Sequence, residues 1–405
     1  MRILHITPVY APAYVYGGPS RSIPLLCRAL AALDGVEVTV YTTDANGAER
    51  LPVPNDRPVI RDGVTVWYHR KDLKGSFHYS RQLGKASRQH SQQFDLLHSS
   101  GVWNYGMVAA AAAAKNSGVP HIVSPRNAIT RWAYDFKPVR KRLYMQLGER
   151  RRLNRADALH YTTALELADS AHLGLTPESY VVPNPVDIEP FSSLPGRGYL
   201  RQQLNLPEEA FLVGMVGRIH LKKGIDLAVE ALAQLVPANP RLHLVLIGPD
   251  EGGYLAEIKR LARLKNVQGH LHWSGQLRDT ALVAAYTDLD CLLLPSRSES
   301  FGNVVVEAMA AGLPVLVSEQ VGVAPDVAKA AAGAVFPLAV EPIAGAIRSA
   351  FSQPALRQAM GRNGQALVSQ RYAPAAVAAA MLDVYREVAA RKRKLNRPDL
   401  PLPER

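Results

Sequence analysis

The sequence predicts an α/β protein made of two doubly wound domains, each a parallel sheet with helices on both faces. The first observation is that short β-type runs alternate with longer helical stretches. The second is that this alternation stops at Pro183-Asn184-Pro185 and resumes at Leu212. The third is the length of 405 residues, which is long for one domain and suits two. A hydrophobic fraction of 47% with 20% charged residues excludes disordered, collagen-like and coiled-coil chains.

The first predicted domain covers residues 1–187 and the second covers residues 188–372. Strands of the first are predicted at residues 2–7, 36–43, 95–98, 121–124, 158–161 and 180–182, with a helix at 20–33. Strands of the second are predicted at 212–216, 242–247, 267–273, 291–294 and 314–317, with helices at 225–235 and 303–311. Residues 373–405 are predicted to form a final crossover helix and a basic, proline-containing tail. Because ligands bind beyond the carboxyl ends of parallel strands, functional motifs are expected in the strand-to-helix loops.

Charge, cysteines and hydropathy restrict the class of protein. The net charge of +12 favours an anionic partner, such as nucleic acid, a lipid surface or a phosphate-bearing substrate. Cys27 and Cys291 lie far apart among apolar residues, which predicts buried free thiols and excludes a disulfide framework or a metal knuckle. No apolar run reaches the roughly 18 residues of a membrane span, and Pro8 interrupts the first apolar stretch. A cytoplasmic location is therefore expected.

The segment GRIHLKKG, from Gly217 to Gly224, follows a predicted strand and opens a predicted helix. Arg218 offers a planar fork to phosphate oxygens, and Lys223 offers a compact positive charge. The helix that starts near Gly224 adds backbone N–H groups and a favourable dipole. Taken alone, the segment is equally consistent with a diphosphate site and with a solvated basic loop.

A second loop, PSRSESFGN at residues 295–303, leads into an apolar helix that contains Glu307. Gly302 permits a close backbone approach to a ligand, and Glu299 could accept hydrogen bonds from sugar hydroxyls. A carboxylate among apolar neighbours is costly without a partner. Glu307 is therefore expected to bind either a ribose diol or a basic side chain of the same domain.

Two adjacent glycines, Gly17 and Gly18, follow the first predicted strand. They allow the backbone to approach a phosphate or a sugar, or form a plain flexible turn, and they do not match the dinucleotide pattern G-x-G-x-x-G. Together, the order G-G, G-R-x(4)-K-G and E-S-F-G-x(4)-E resembles the retaining, nucleotide-sugar-dependent glycosyltransferases of family 4. The resemblance covers most of the chain and is strongest from about 212 to 320. It implies the GT-B fold, with two Rossmann-like domains, a cleft between them, and a C-terminal helix that packs back toward the first domain.

The resemblance implies a donor site in the second domain. Arg218 and Lys223 would hold the donor diphosphate, Glu299 would bind hydroxyls of the donor sugar, and these three are the expected catalytic residues. Glu307 would hold the ribose, and Gly18 would approach the phosphate from the first domain. The other donor-binding residues that the resemblance implies are Gly17, Ser300, Phe301, Gly302 and Asn303.

The acceptor side departs from the family pattern. Relatives carry H-x-H or H-G-L-W after the corresponding strand, and this chain has HSSGVW, from His98 to Trp103. Ser100 can hydrogen-bond but is a poor base, and His98 is either an acceptor-side residue or a satisfied strand residue. Pro125-Arg126-Asn127 resembles a P-R-G loop, and Pro185 replaces the glycine of an interdomain P-N-G-V-D, which predicts a stiffer hinge. The expected acceptor-side residues are His98, Ser100, Trp103 and Arg126.

The expected reaction is displacement at an anomeric carbon, with a nucleoside diphosphate as the leaving group. Arg218, Lys223 and helix N-termini would stabilise the developing charge without a metal or cofactor. Asp288-Leu289-Asp290 mimics the D-x-D metal motif but leads directly into a strand, and is interpreted as strand-start polarity. The family stereochemistry implies an α-linkage to a hydroxyl of a glycan or lipid-linked saccharide. UDP is the commonest donor nucleotide, and surface polysaccharide or glycolipid assembly is the expected process.

Basic residues concentrate between Arg126 and Arg155, where ten Arg or Lys accompany only two carboxylates, Asp135 and Glu149. From Val139 to Arg155, cations alternate with apolar side chains, as in helices that lie on an anionic bilayer. The alternative is a solvated basic helix that serves anionic substrates. Two rival functions are a GT-B nucleotide-sugar epimerase, which needs no acceptor, and a non-catalytic nucleic-acid-binding protein. For the second rival the sequence offers charge but no recognised binding module.

Overall fold

The structure, a computed structural model, describes residues 1–135, 138–250 and 252–396. It divides into two compact units: unit 1 comprises residues 1–185 with 374–405, and unit 2 comprises residues 186–373. The predicted divisions after residues 187 and 372 lie within two residues of these limits. The predicted basic tail after Asn396 lies outside the described residues.

Unit 1 is built on a mainly parallel sheet. Its strands are β1 (Arg2–Ile6), β2 (Glu37–Thr43), β3 (Ala45–Asn46), β4 (Glu49–Arg50), β5 (Val59–Arg61), β6 (Val64–His69), β7 (Leu96–Ser100), β8 (His121–Ser124), β9 (Ala158–Tyr161) and β10 (Glu178–Val181). Within the described residues, eight of them form one sheet in the order β10-β9-β8-β7-β1-β2-β6-β5, parallel except where β5 pairs with β6. Because β1 pairs with both β2 and β7, the strand order reverses between β1 and β7. In such sheets, ligands bind beyond the carboxyl ends of the strands near this reversal.

The hairpins β3–β4 and β5–β6 are absent from the sequence prediction. Asp62 and Gly63 join β5 to β6, and their φ angles of 49° and 78° both lie in the left-handed region. Asp-Gly with two positive φ angles is typical of a two-residue hairpin turn. The signal for this hairpin was therefore present in the sequence.

The helices of unit 1 that precede unit 2 are α1 (Pro19–Ala31), α2 (Arg81–His90), α3 (Tyr105–Ser117), α4 (Arg131–Asp135), α5 (Pro138–Tyr144), α6 (Arg150–Leu153) and α7 (Ala164–Ser170). Ser80, Asn104 and Thr163 begin α2, α3 and α7, and each side-chain oxygen accepts a backbone N–H of the first turn. A wide turn at Met145–Glu149 separates α5 from α6, and Gly148 kinks the chain there with a φ of 132°.

Unit 2 is a six-stranded parallel sheet, within the described residues, with helices in the connections. Its strands are β11 (Phe211–Val216), β12 (Leu242–Ile247), β13 (Leu271–Trp273), β14 (Cys291–Leu294), β15 (Val315–Ser318) and β16 (Gly333–Phe336), in the order β13-β12-β11-β14-β15-β16. Its helices are α8 (Tyr199–Leu204), α9 (Ile225–Leu235), α10 (Tyr254–Leu264), α11 (Asp279–Asp288), α12 (Asn303–Ala310), α13 (Ala324–Lys329), α14 (Val340–Ser352) and α15 (Pro354–Leu367). The prediction for β13 was too long, because a 3-10 turn at Gln268–His270 precedes the strand, and β16 was not predicted.

The last helix, α16 (Pro374–Asn396), follows unit 2 in sequence but packs in unit 1. Met381 and Tyr385 of α16 belong to the same buried cluster as Leu26 of α1 and Val66 of β6. The predicted return of the C-terminal helix to the first domain is thus confirmed. Cys27 and Cys291 are buried free thiols, as predicted. Within the described residues, every helix falls short of the length and apolar character that a membrane crossing requires.

Candidate functional site

Two strand-to-helix loops of unit 2 pack against each other, one after β11 and one after β14. They come close at Gly224, where φ is 68° and an added Cβ would lie 2.0 Å from the Pro295 carbonyl oxygen. Only glycine fits such a contact. The glycine that ends GRIHLKKG therefore sets how closely the two predicted donor loops approach.

Arg297 ties the second loop to α9. Its guanidinium donates two hydrogen bonds of 2.9 and 2.6 Å to the Asp226 carboxylate and one of 2.7 Å to the Leu221 carbonyl oxygen. Burial raises the pKa of Asp226, but Arg297 outweighs burial and holds that pKa below its ordinary value. Sequence reasoning missed this pair, because 71 residues separate its members. The pair fixes both loops before any ligand binds, which is the preorganisation that an anion site requires.

The side chains predicted to bind the diphosphate and the sugar contact each other directly. Lys223 Nζ lies 2.5 Å from Glu299 Oε2, and the two side chains are only 17% and 21% exposed. Arg218 is exposed at the start of the same loop. Burial lowers the pKa of Lys222, the charges of Lys223 and Arg218 lower it further, and Glu299 opposes them. The three predicted catalytic residues, Arg218, Lys223 and Glu299, therefore all lie close enough to Lys222 for their charges to change its pKa.

The second loop presents polar groups at the start of α12. Gly302 has a left-handed φ of 102°, which lets α12 begin at Asn303. Phe301 is buried in the core, whereas Ser300 is half-buried. Asn303 Oδ1 is buried and has no hydrogen-bond partner among the described residues. Backbone N–H groups at a helix N-terminus, beside an unfilled amide oxygen, suit a ligand that carries both anionic oxygens and hydroxyls.

Glu307 lies one turn into α12, where its carboxylate faces a buried tyrosine. The Tyr286 hydroxyl of α11 donates a hydrogen bond of 2.8 Å to Glu307 Oε2. Burial, and next the charge of Glu307, raise the pKa of Tyr286 well above its ordinary value, so the phenol stays protonated and donates. Sequence reasoning missed Tyr286, which orients the carboxylate that is predicted to hold the ribose.

The two carboxylates of the D-x-D sequence are used inside the fold. Asp288 accepts the backbone N–H groups of Gly198 and Arg201, both at 3.0 Å, and pairs with the Arg201 guanidinium. Asp290 accepts the Leu212 N–H at 2.8 Å. The interpretation as strand-start polarity therefore fits Asp290, which directly precedes β14, whereas Asp288 is the last residue of α11. Among the described residues, no group of three or more His, Cys, Asp or Glu side chains is placed so that it could hold a metal ion.

In unit 1, the loop after β1 leaves the predicted glycines exposed. Gly17 has a φ of 79°, and Ser20 Oγ donates to the Gly17 carbonyl oxygen at 2.7 Å. Gly18 is the N-cap of α1, and Pro19 is its first residue. The backbone is open to a ligand at this point, and its contact with a donor phosphate stays a prediction.

His98 belongs to a chain of buried hydrogen bonds that crosses the sheet of unit 1. Tyr385 Oη lies 2.6 Å from His98 Nδ1, and His98 Nε2 lies 2.8 Å from Ser124 Oγ. Ser124 Oγ lies 2.5 Å from His160 Nδ1, and His160 Nε2 lies 2.9 Å from the Val182 carbonyl oxygen. The Val182 carbonyl oxygen can only accept, so His160 is protonated on Nε2 and accepts from the Ser124 hydroxyl through Nδ1. Ser124 Oγ then accepts from His98 Nε2, and His98 Nδ1 accepts from the Tyr385 hydroxyl. Both histidines are thus neutral and protonated on Nε2.

The environment of this chain keeps the histidines neutral. Burial, followed by the charge of Arg126, lowers the pKa of His5 and of His160 to about 3, and burial and its neighbours place the pKa of His98 well below 6.5. Ser100 is buried and bonds His5 Nε2 at 3.0 Å. His98 and Ser100 therefore lie in the interior of unit 1, and Tyr385 of α16 packs against His98. The acceptor-side roles of His98 and Ser100 stay predictions. From these buried positions, the two side chains would act through neighbouring groups and not by touching an acceptor.

Trp103 and Arg126, the other predicted acceptor-side residues, both have left-handed backbone, with φ of 63° and 55°. The Trp103 N–H donates to Glu149 Oε1 at 3.2 Å, and its indole N–H donates to the Ala128 carbonyl oxygen at 3.0 Å. Arg126 donates to Asn184 Oδ1 at 2.5 Å. Both residues follow strands at the carboxyl edge of the sheet, where ligands bind in such folds.

Two family models together match most of the chain. The model of the glycosyl transferases group 1 matches residues 197–367, and the model of the glycosyl transferase 4-like domain matches residues 17–185. D-inositol 3-phosphate glycosyltransferase 2 of Catenulispora acidiphila is 30% identical over 82% of this chain and 81% of its own length. D-inositol 3-phosphate glycosyltransferase of Kineococcus radiotolerans is 29% identical over 95% of this chain and 93% of its own.

Solved structures show the same fold. Sucrose-phosphate synthase from Thermosynechococcus elongatus is similar with a TM-score of 0.76 and 21% identity, over 96% of this chain and 100% of that one. Anabaena HepE in complex with UDP-glucose has a TM-score of 0.71 and 20% identity, over 96% and 100% of the two chains. The protein has the GT-B fold and belongs to the group 1 glycosyltransferases, enzymes that transfer a sugar from a nucleotide sugar.

Proposed function

We propose that the protein is a retaining glycosyltransferase that moves a sugar from a nucleoside-diphosphate sugar, with UDP as the nucleotide, to a hydroxyl of a glycan or lipid-linked saccharide. The new linkage is α, and the product enters surface polysaccharide or glycolipid assembly. The observation that carries the proposal is the pair of packed loops of unit 2 in which Lys223 meets Glu299. The HepE structures with UDP and with UDP-glucose support the choice of nucleotide.

The diphosphate is the part of the donor that gains charge as the sugar leaves. Arg218 and Lys223 carry the cations, and the N-terminus of α12 adds backbone N–H groups. Because Arg297 and Asp226 already fix the loops, these groups need little rearrangement when the leaving group becomes more negative. We propose that this set supplies the positive potential without a metal or other cofactor.

The sugar and the ribose are held by carboxylates. Glu299 accepts hydrogen bonds from donor-sugar hydroxyls, and the backbone from Ser300 to Asn303 lies along the sugar and the phosphate. Glu307, oriented by Tyr286, accepts the ribose hydroxyls. We propose that the acceptor hydroxyl attacks the anomeric carbon on the same face that the diphosphate leaves. The bond from this carbon to the diphosphate oxygen breaks as the new glycosidic bond forms, and the hydroxyl proton passes to the departing diphosphate. The α configuration is thereby retained.

Product analysis tests the transfer directly. The protein is incubated with UDP-glucose and a panel of glycan, lipid-linked and phosphorylated-cyclitol acceptors, the last because the curated relatives are named for D-inositol 3-phosphate. The expected products are UDP and an α-glucoside, identified by the anomeric proton coupling. A β-glucoside would contradict retention. An epimerised UDP-sugar formed without acceptor would overturn the proposal in favour of an epimerase.

Glu299→Gln is expected to tighten UDP binding about tenfold, equivalent to about 1.4 kcal/mol. The reason is that Glu299 occupies Lys223 before the donor arrives, so the diphosphate must displace this carboxylate. Calorimetric titration with UDP measures the change, and Glu319→Gln, at an exposed carboxylate after β15, is the matched control. Unchanged or weaker UDP binding by Glu299→Gln would show that the ion pair does not compete with the ligand.

We further propose that unit 1 docks on the inner face of the cytoplasmic membrane through residues 139–155. Val139, Leu143 and Leu147 are 78%, 53% and 72% exposed, which is unusual for aliphatic side chains. A neighbouring groove of about 920 Å³ is lined by Tyr134, Arg142, Met145, Gln146, Leu147, Gly148, Arg150, Arg151, Asn154 and Arg155. Exposed aliphatic side chains beside a groove with four arginines fit an anionic bilayer surface.

The triple substitution of Arg142, Arg150 and Arg151 by glutamine is expected to weaken binding to phosphatidylglycerol-containing vesicles about a hundredfold. Each basic residue near such a surface contributes about 1 kcal/mol. These three arginines are exposed, so the fold is retained. Vesicle sedimentation measures the affinity, with the triple substitution of Arg57, Arg70 and Arg81 as the control for net charge. Equal binding by the two triple variants would contradict docking through this segment.

A further inference from the structure

Arg126 is a largely enclosed cation, and within the described residues its side-chain hydrogen bond goes to a neutral amide. It follows β8 with a left-handed φ of 55°, and Asn127 continues the turn with a φ of 64°. Its Nη1 donates to the neutral amide oxygen of Asn184 at 2.5 Å, and its Nε is buried without a partner. The structure records no ion pair between Arg126 and any residue in the described part of the chain.

The nearby carboxylate of Glu166 is already occupied. Glu166 is buried, and its oxygens accept the Asn127 N–H at 2.5 Å, the Thr162 N–H at 2.8 Å and the Thr162 hydroxyl at 2.7 Å. Glu166 therefore holds the backbone of the turn that carries Arg126. Its charge acts on the guanidinium from a distance, while burial lowers the pKa of Arg126.

The buried histidines near Arg126 supply no counterion. His5, His98 and His160 are neutral, and the charge of Arg126 is one cause of their low pKa values. Enclosing a charge without a counterion destabilises a fold, and so do two consecutive non-glycine residues with positive φ. Features of this kind persist where a ligand completes the site.

Arg126 also stands where a ligand can reach it. It lies at the carboxyl edge of the unit 1 sheet and is half-buried, so part of the side chain remains at the surface. A guanidinium binds phosphate or carboxylate oxygens through two parallel hydrogen bonds. We infer that Arg126 binds an anionic group, a phosphate or a carboxylate, on the acceptor of the transfer reaction. The inference rests on the proposed function and adds the class of acceptor that this chain selects.

Binding of inorganic phosphate tests the site without turnover. Titration calorimetry is done in the Arg218→Ala background, which weakens the proposed donor phosphate site. Arg126→Gln is expected to weaken phosphate binding at least tenfold, and Arg126→Lys, which keeps the charge but not the fork, by a smaller factor. Arg70→Gln, at an exposed arginine that follows β6 at the same sheet edge, is expected to bind as the parent does. Should Arg126→Gln fail to fold, as judged by thermal unfolding, Arg126→Lys decides the result.

A second arm identifies the source of the anion. With UDP-glucose as donor, KM is compared for inositol 3-phosphate against inositol, and for glucuronate against glucose. A phosphate source predicts that Arg126→Gln raises KM at least tenfold for inositol 3-phosphate and leaves inositol unaffected, and a carboxylate source predicts this for glucuronate. Parent-like phosphate binding by Arg126→Gln, or an equal loss with charged and neutral acceptors, would overturn the inference. If the wild type releases no UDP with any acceptor, the proposed function fails, while the phosphate titration still decides on Arg126.

Discussion

Arg218→Ala is expected to lower kcat/KM for sugar transfer about a thousandfold, equivalent to about 4 kcal/mol of lost transition-state stabilisation. In the proposed mechanism, Arg218 and Lys223 share the charge of the leaving diphosphate. Removing Arg218 leaves the Lys223 ammonium, which Glu299 partly neutralises at 2.5 Å. The loss is therefore larger than a single exposed cation would cause elsewhere.

The fold of the Arg218→Ala variant is expected to be intact. Arg218 is exposed in a loop, and the loops are held by Gly224 and by the Arg297–Asp226 pair instead. Thermal unfolding should shift by no more than about 2 °C. Arg260→Ala, at an exposed arginine of α10, is the matched control and should keep full activity. Wild-type turnover by Arg218→Ala would remove this residue from the donor site.

Unit 1 is expected to unfold in mild acid, between about pH 4.5 and pH 6, because it buries six histidines in neutral form. Burial is the first cause of the lowered pKa in every case, to about 3 for His5 and His160, about 4 for His69, His78 and His121, and well below 6.5 for His98. In the unfolded chain each would titrate near 6.5.

Acid destabilises unit 1 because its unfolded state binds more protons than its folded state. Below about pH 6.5 the unfolded chain takes up protons that the folded unit cannot, so stability is full above this pH and falls with acidification. Each histidine contributes up to about 1.4 kcal/mol per pH unit, and six contribute about 8 kcal/mol per pH unit. At this slope, a typical domain stability of about 5–15 kcal/mol is lost within about 0.6 to 2 pH units below pH 6.5.

Urea unfolding at several pH values measures this slope. Trp273→Phe removes the tryptophan of unit 2, so the fluorescence of Trp67, Trp103 and Trp132 reports unit 1. His160→Gln should lower the slope by about 1.4 kcal/mol per pH unit, since one titrating group is lost. His90→Gln, at an exposed histidine, should leave it unchanged. A free energy of unfolding that stays constant from pH 7 to pH 5 would contradict neutral, buried histidines.

Much of the fold could be predicted from the sequence because buried parallel strands have a distinct apolar pattern. β8, β9, β12 and β14 match their predicted bounds, since strands covered on both faces are short apolar runs between loops. β16 has the sequence GAVF, which is too short and too rich in small residues to stand out. β13 was overextended because Val267 precedes a 3-10 turn whose residues carry no apolar period.

The two donor loops could be predicted from the sequence for a different reason. Their residues are contiguous in sequence, so a cation at each end of GRIHLKKG and a carboxylate in ESFG can be weighed without knowing the fold. The contacts that these loop residues make with distant parts of the chain could not be predicted. Lys223 meets Glu299 across 76 residues, and Glu307 meets Tyr286 of another helix. Such pairs depend on how helices and loops are arranged in three dimensions, which the pattern of neighbouring residues in the sequence does not predict.

The chain of hydrogen bonds around His98 shows the same limit. His98, Ser124 and His160 come from three adjacent strands, β7, β8 and β9, and Tyr385 comes from a helix 287 residues beyond His98. The sequence left open whether His98 is a satisfied strand residue, and the structure shows both of its ring nitrogens in hydrogen bonds. The isolation of Arg126 is likewise visible only once Glu166 is seen bound to Asn127 and Thr162.

Calorimetric titration with UDP, GDP and ADP, with and without EDTA, tests the central claim that unit 2 holds a metal-free nucleotide-sugar donor site. Wild type and Arg218→Ala are compared under the same conditions. UDP is expected to bind, EDTA is expected to leave its affinity unchanged, and Arg218→Ala is expected to bind UDP at least tenfold more weakly. Binding that EDTA abolishes, or the absence of binding by all three nucleotides at millimolar concentration, would contradict it.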